Sequence, residues 1–189
     1  MEQLNNIFTK HIDEGRFPGM QWQINVKDKI YSGKIGYNDI ETKVPVLDNT
    51  IYRIWSMTKP VVAVAALQLL EQNKIKLDDL VTKYLPEFAN LKVLKKEKAL
   101  IDDVEDLKIN PTIKDLFLHT AGFSYNFLAD PIRRKYDEIK LFHSDTTTLE
   151  EEIKKLAEVP LLNQPKSKWV YSVSMDVLGR VLEVVLNDT

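Results

Sequence analysis

The stretch "YRIWSMTKPVVAVAALQLLEQ", residues 52–72, sets a serine and a lysine three positions apart where an apolar run begins. Pro60 sits just inside that run, and proline is tolerated in the first turn of a helix because its missing N–H would be unsatisfied there anyway. The spacing predicts a helix that starts near Ser56 and stops at Asn73, with Val62, Ala65, Ala66, Leu69 and Leu70 as its buried stripe. At i and i+3 two side chains share a helix face, so the Lys59 ammonium can reach the Ser56 hydroxyl. A lysine that accepts a proton must be neutral part of the time, and desolvation against Trp55 and Val62 is expected to push its pKa down. A helix N-terminus adds positive potential where an oxyanion would develop. The plain alternative is a capping serine followed by a solvated lysine, since Ser-x-x-Lys arises by chance about once in a chain of this length.

Upstream of this stretch, Leu4, Ile7, Phe8 and Ile12 recur at helical spacing until "GRFPG" at 15–19 breaks the pattern. From Met20 to Val26 and from Ile30 to Tyr37 the apolar positions alternate across "KDK", which predicts a β-hairpin with a tight charged turn. Downstream, "LDDLVTKYLPEF" reads as a short helical turn ended by Pro86, and "NPTIKDLFLHTAGF" as a helix ended by Gly122. Residues 92–108 and 131–147 are charged and weakly periodic and read as surface excursions. A Thr-x-x-Glu capping box, Thr147 with Glu150 or Thr148 with Glu151, opens a helix that ends at Pro160. From Ser174 to about Leu186, Val177, Leu178, Val181, Leu182 and Val185 form one apolar face.

The composition is that of a globular chain: 189 residues, 44% of them hydrophobic, are enough to bury a core. A net charge of −2 spread over interspersed Lys and Glu gives no field of one sign, so neither nucleic acid nor an anionic membrane is indicated as a partner. The absence of cysteine removes thiol nucleophiles and Cys-ligated zinc, and no His, Asp and Glu cluster has metal-ligand spacing. Neither a signal peptide nor an apolar run of about 18 residues is visible, which gives the expectation of a cytoplasmic chain.

"IYRIWSMTKPVVAVAALQLLEQNKIKLDDLVTKYLPEF" resembles the serine hydrolases of the β-lactamase and penicillin-binding-protein superfamily, in the class C-like branch that includes β-lactamase-like esterases. Three further stretches resemble the same family in order and spacing: "GRFPGMQWQINVKDKIYSGKIGYNDIETKVPV", "IKDLFLHTAGFSY" and "PLLNQPKSKWVYSVSMDVLGRVLEVV". The resemblance implies that Ser56 is the acylated nucleophile and Lys59 its proton partner. It also aligns Tyr171-Ser172-Val173 with the family's Tyr-x-Asn, which makes Tyr171 the candidate general base, because a phenol beside an ammonium is favoured as phenolate. Val173 stands where penicillin-processing members carry asparagine, and valine cannot hydrogen-bond a substrate amide. Tyr-Ser-hydrophobic followed by Asp176 to Gly179 points to the esterase-like subgroup. Lys166 replaces a glycine common in the preceding turn. His119 is read as a structural or capping residue, not as half of a Ser-His dyad.

What the resemblance implies for the fold is α/β (α+β), of the β-lactamase/transpeptidase-like kind. The helical region and the N-terminal β-hairpin of the antiparallel sheet are present, and the C-terminal strands absent. Residues 1–189 are expected to form a single, C-terminally incomplete domain. The family's third motif, Lys-Thr-Gly or His-x-Gly on a strand, occurs nowhere after the second. Losing the oxyanion N–H of that strand is worth roughly a hundred- to a thousand-fold in rate. The expected function is acyl transfer through Ser56 on a small-molecule ester or amide, with esters preferred, no cofactor, and room for a complementary C-terminal chain as partner. The alternatives are an inactive remnant that serves as a binding piece, and a β-lactamase or D-Ala-D-Ala carboxypeptidase.

Overall fold

The computed structural model describes residues 2–143 and 146–188. They fall into two compact units that divide between Ile54 and Trp55.

In the first unit the amphipathic helix α1 (Glu2–Asp13) precedes the strands β1 (Gly19–Val26) and β2 (Lys29–Asp39). The two strands pair antiparallel with Val26 opposite Lys29, so the connection is the two-residue turn Lys27–Asp28. Both turn residues have positive φ, 46° and 64°, as a turn whose twist matches its strands requires. A short third strand, β3 (Val44–Pro45), adds to the free edge of β2; the sequence reading did not include it. Trp22 ties α1 to the sheet, its indole N–H donating to Asn5 Oδ1 at 3.2 Å and its ring lying 6.3 Å from that of Phe8.

The second unit is built on two core helices, α2 (Thr58–Glu71) and α6 (Ser174–Leu186). Ala66 and Leu69 of α2 are buried, and Val62, Ala65 and Leu70 pack at the edge of the same core. Val177, Leu178, Val181 and Leu182 bury the matching face of α6. α6 also packs on α3 (Ile113–Phe117) and α5 (Leu149–Ala157). The capping box of α5 is Thr148 with Glu151.

Three expectations are corrected here. The helix predicted to end at Gly122 ends at Phe117, because His119 takes a left-handed φ of 54° that an α-helix does not contain. The short helical turn expected before Pro86 is present as a 3₁₀ turn (Val81–Lys83), but Pro86 itself begins a second one (Pro86–Asn90), again at a position that needs no N–H. The two charged excursions are structured. Residues 92–108 contain the hairpin β4 (Lys92–Leu94) and β5 (Val104–Asp106), with Val93 and Leu94 both buried. Residues 131–147 begin with α4 (Pro131–Glu138), capped by Asp130 and anchored by the fully buried Ile132 and Tyr136; positions 144 and 145 of that stretch lie outside the described residues.

A backbone ladder joins residues 119–124 to residues 162–173. The N–H groups of Leu162, Lys166, Val170 and Val173 donate to the carbonyls of Gly122, Thr120, His119 and Ser124 at 2.8, 2.8, 3.0 and 3.1 Å. Close approach requires glycine at 122: its φ is 94°, and a Cβ there would lie 2.2 Å from the Asn163 carbonyl oxygen. Lys166, which stands where the resemblance has a glycine, takes φ 66°, a left-handed backbone of the kind that favours glycine.

Candidate active site

Trp55, Ser56 and Met57 form a 3₁₀ turn that leads into α2, with Trp55 at φ 48°. That conformation is strained for a bulky residue, and it turns the chain immediately before the serine. Ser56 is exposed and Lys59, one turn on, is partly buried. No side chain caps α2, so the positive end of the helix is uncapped next to Ser56.

Tyr171 lies on the segment that the ladder holds just before α6. Its hydroxyl donates to Ser56 Oγ at 2.8 Å, so two residues 115 positions apart in sequence meet. The Lys59 ammonium sits 5.0 Å from the centre of the Tyr171 ring and 5.3 Å from that of Tyr125. The two rings are stacked, 5.6 Å apart and tilted by 24°. Tyr171 therefore meets both of the other residues singled out from the sequence, Ser56 through its hydroxyl and Lys59 over its ring.

The charges arrange themselves differently from the expectation for Lys59. Burial is the largest single influence on its ammonium and does push the pKa down. The hydrogen bond to Tyr171 and the charges of Tyr125, Asp176 and Tyr171 together outweigh it and leave Lys59 above an ordinary lysine. Tyr171 moves the other way. Burial, again the largest influence, pushes its phenol up, but the Ser56 hydroxyl and the Lys59 ammonium bring it below an ordinary tyrosine. A lysine held as a cation beside a phenol that ionises readily makes the phenolate the better proton acceptor for Ser56.

Spacing and pattern missed three residues of the site. Tyr125 stacks on Tyr171 and faces the ammonium, and the exposed Phe127 lies 4.7 Å from Tyr125 and 6.1 Å from Tyr171. Asp176, in the first turn of α6, has a buried Oδ2 without a hydrogen-bond partner; burial raises its pKa, and the Lys59 charge opposes the rise. Val173 is buried with its N–H on Ser124, so it serves the helix start and presents no polar group. Among the described residues no group of three or more His, Asp or Glu side chains could hold a metal ion, and no helix is long and apolar enough to cross a membrane.

The family profile described as Beta-lactamase matches residues 4–189. The chain belongs to the beta-lactamase family. Esterase EstB of Burkholderia gladioli is 34% identical over 187 residues, which cover 96% of this chain and 44% of the esterase. Protein Rv1367c of Mycobacterium tuberculosis (strain ATCC 25618 / H37Rv) is 33% identical over 172 residues, 90% of this chain and 42% of that protein. Among solved structures, EstCE1, a hydrolase with promiscuous acyltransferase activity, superimposes with a TM-score of 0.78 at 32% identity over 99% of this chain and 47% of its own. The chain thus spans about half the length of the relatives it matches. The fold is the mixed α/β fold of this family, as the resemblance implied.

Proposed function

We propose that this chain carries the acylation half-site of a serine esterase or acyltransferase, with Ser56 as nucleophile, Tyr171 as general base and Lys59 as the cation that keeps Tyr171 ready to accept a proton. The observation that carries the reading is the 2.8 Å contact between the Tyr171 hydroxyl and Ser56 Oγ with the Lys59 ammonium over the tyrosine ring. In the reacting form the contact runs in reverse: Ser56 donates its proton to the Tyr171 phenolate as Oγ bonds to the ester carbonyl carbon. The carbon–oxygen bond to the alcohol then breaks, and the departing oxygen takes the proton back from Tyr171. Water, or a second alcohol, repeats the sequence to release the acyl group.

Small esters are the favoured substrates. The exposed ring of Phe127 beside Tyr125 supplies an apolar surface at the site, Val173 offers no amide partner, and an esterase and a hydrolase with acyltransferase activity are among the relatives. No Lys-Ser/Thr-Gly occurs in the sequence, and the second oxyanion donor is proposed to come from a complementary C-terminal chain or segment. The chain would then be one incomplete domain of the family. A panel of short p-nitrophenyl esters run against a chromogenic cephalosporin tests the substrate class. Release of p-nitrophenol, even as a single-turnover burst, without lactam opening is expected; lactam opening without ester cleavage would overturn it.

A further inference from the structure

His119 is placed to do more than end a helix, because both neighbours of Tyr171 are bonded to it. The Val170 N–H donates to the His119 carbonyl at 3.0 Å, and the Ser172 N–H donates to His119 Nδ1 at 3.2 Å. The imidazole lies 5.0 Å from the Tyr171 ring, tilted by 30°. Ser172 Oγ lies 3.2 Å from the same Nδ1 and 2.8 Å from Ser174 Oγ, in the first turn of α6. One residue thus holds the backbone on each side of the proposed base and packs against its ring. His119 takes a left-handed φ, and its carbonyl and its ring both meet the segment 170–172.

We propose that His119 is the positioning residue for Tyr171, and that it holds Tyr171 against Ser56 only while its Nδ1 is free to accept. The inference rests on the Ser56–Tyr171 reading above. A backbone N–H can only donate, so Nδ1 must be unprotonated and the ring proton must sit on Nε2. Protonation turns Nδ1 into a donor facing the Ser172 N–H. The imidazolium could then turn its proton onto Ser172 Oγ only by giving up that N–H, and the residue after Tyr171 would lose its anchor. The charged and titratable groups around the ring are the Lys59 ammonium of α2 and the Tyr171 phenol, with Asp176 of α6 acting on both. Burial and the Lys59 charge both favour the neutral imidazole. The anchored geometry is therefore the resting one at neutral pH and fails on acidification.

Two variants separate this role from general packing. His119→Asn keeps an acceptor at the Nδ1 position and tolerates a left-handed φ, but cannot be protonated in this range. His119→Gly tolerates the same φ and removes the acceptor. The readout is the rate at which a fluorophosphonate modifies Ser56, followed by intact mass from pH 8 down to pH 4. Taking the ratio of wild type to His119→Asn cancels the ionisation of Tyr171 itself. That ratio is expected to be near one at pH 8 and to fall as the pH drops through the His119 pKa, which burial and Lys59 hold below an ordinary histidine, by about ten-fold or more once the ring is protonated, the loss of one buried hydrogen bond. His119→Gly should be slow throughout. A ratio that does not change with pH, or a Gly variant that reacts as fast as wild type, overturns the positioning role while leaving the Ser56 reading intact. A wild-type chain that is unmodified at every pH overturns both.

Discussion

Replacing Tyr171 with phenylalanine removes one oxygen from the proposed site and little else. The ring contacts with Tyr125, His119 and Phe127 and the Lys59 ammonium over its face need only the ring, so the local packing should persist. The lost hydroxyl donates to Ser56 at 2.8 Å and shares a hydrogen bond with Lys59, and partly exposed bonds of that kind contribute about 0.5–1.5 kcal/mol each to stability. If that oxygen is the general base, its removal should slow Ser56 acylation by about a hundred- to ten-thousand-fold, or roughly 3–5.5 kcal/mol of barrier. The cost to reactivity should therefore exceed the cost to stability. Both are measurable on one preparation, with the rate of fluorophosphonate modification read by intact mass and stability read by urea unfolding. A Tyr171→Phe chain that reacts within about three-fold of wild type would refute the assignment of Tyr171 as base. Losses of equal size in the two measurements would show that the hydroxyl is structural.

Gly122→Ala should destabilise the second unit by at least about 2 kcal/mol, since it combines a forbidden φ with a Cβ driven into the Asn163 carbonyl; urea unfolding would show a lower midpoint. Asp176→Asn should raise stability at neutral pH. The folded-state pKa of this carboxyl lies above its unfolded value, so ionising it opposes folding, and the unfolding free energy falls as pH rises from the ordinary aspartate value through the folded one. The same change removes a negative charge that favours the Lys59 cation, so the pH at which Lys59 gives up its proton should move down, visible in the alkaline limb of the Ser56 modification rate.

The elements that could be read from the sequence are those whose burial follows one clear period. The β1–β2 hairpin alternates, and α6 repeats its apolar residues every three or four positions, so one face announces itself. α4 did not, because Ile132 and Tyr136 are its only buried side chains and the residues between them are Arg, Arg and Lys. β4 did not, because Val93 and Leu94 are adjacent and both buried, which leaves no alternation in a three-residue strand. The early end of α3 depends on the left-handed backbone at His119, which is held by bonds to residues about 50 positions later.

The site divides along the same line. Ser56 and Lys59 are neighbours on one turn, and their spacing alone suggested a pair. Tyr171 lies 115 residues away from Ser56 and entered only through the resemblance to the family. The sign of the Lys59 shift could not be read locally either: Trp55 and Val62 suggested only desolvation, whereas the groups that reverse it, the hydrogen bond to Tyr171 first among them, come from residues 171, 125 and 176. Tyr125 belonged to a quoted motif, "HTAGFSY", yet nothing in its spacing said that it would face an ammonium.

The central claim is that Ser56 is already a nucleophile in this chain. Intact-mass spectrometry of the purified wild type and of Ser56→Ala, after exposure to a fluorophosphonate and separately to an activated ester, tests it most directly. The account predicts one adduct per chain in the wild type and none in Ser56→Ala. A folded wild-type chain that gains no adduct, or an adduct that survives in Ser56→Ala, would contradict it.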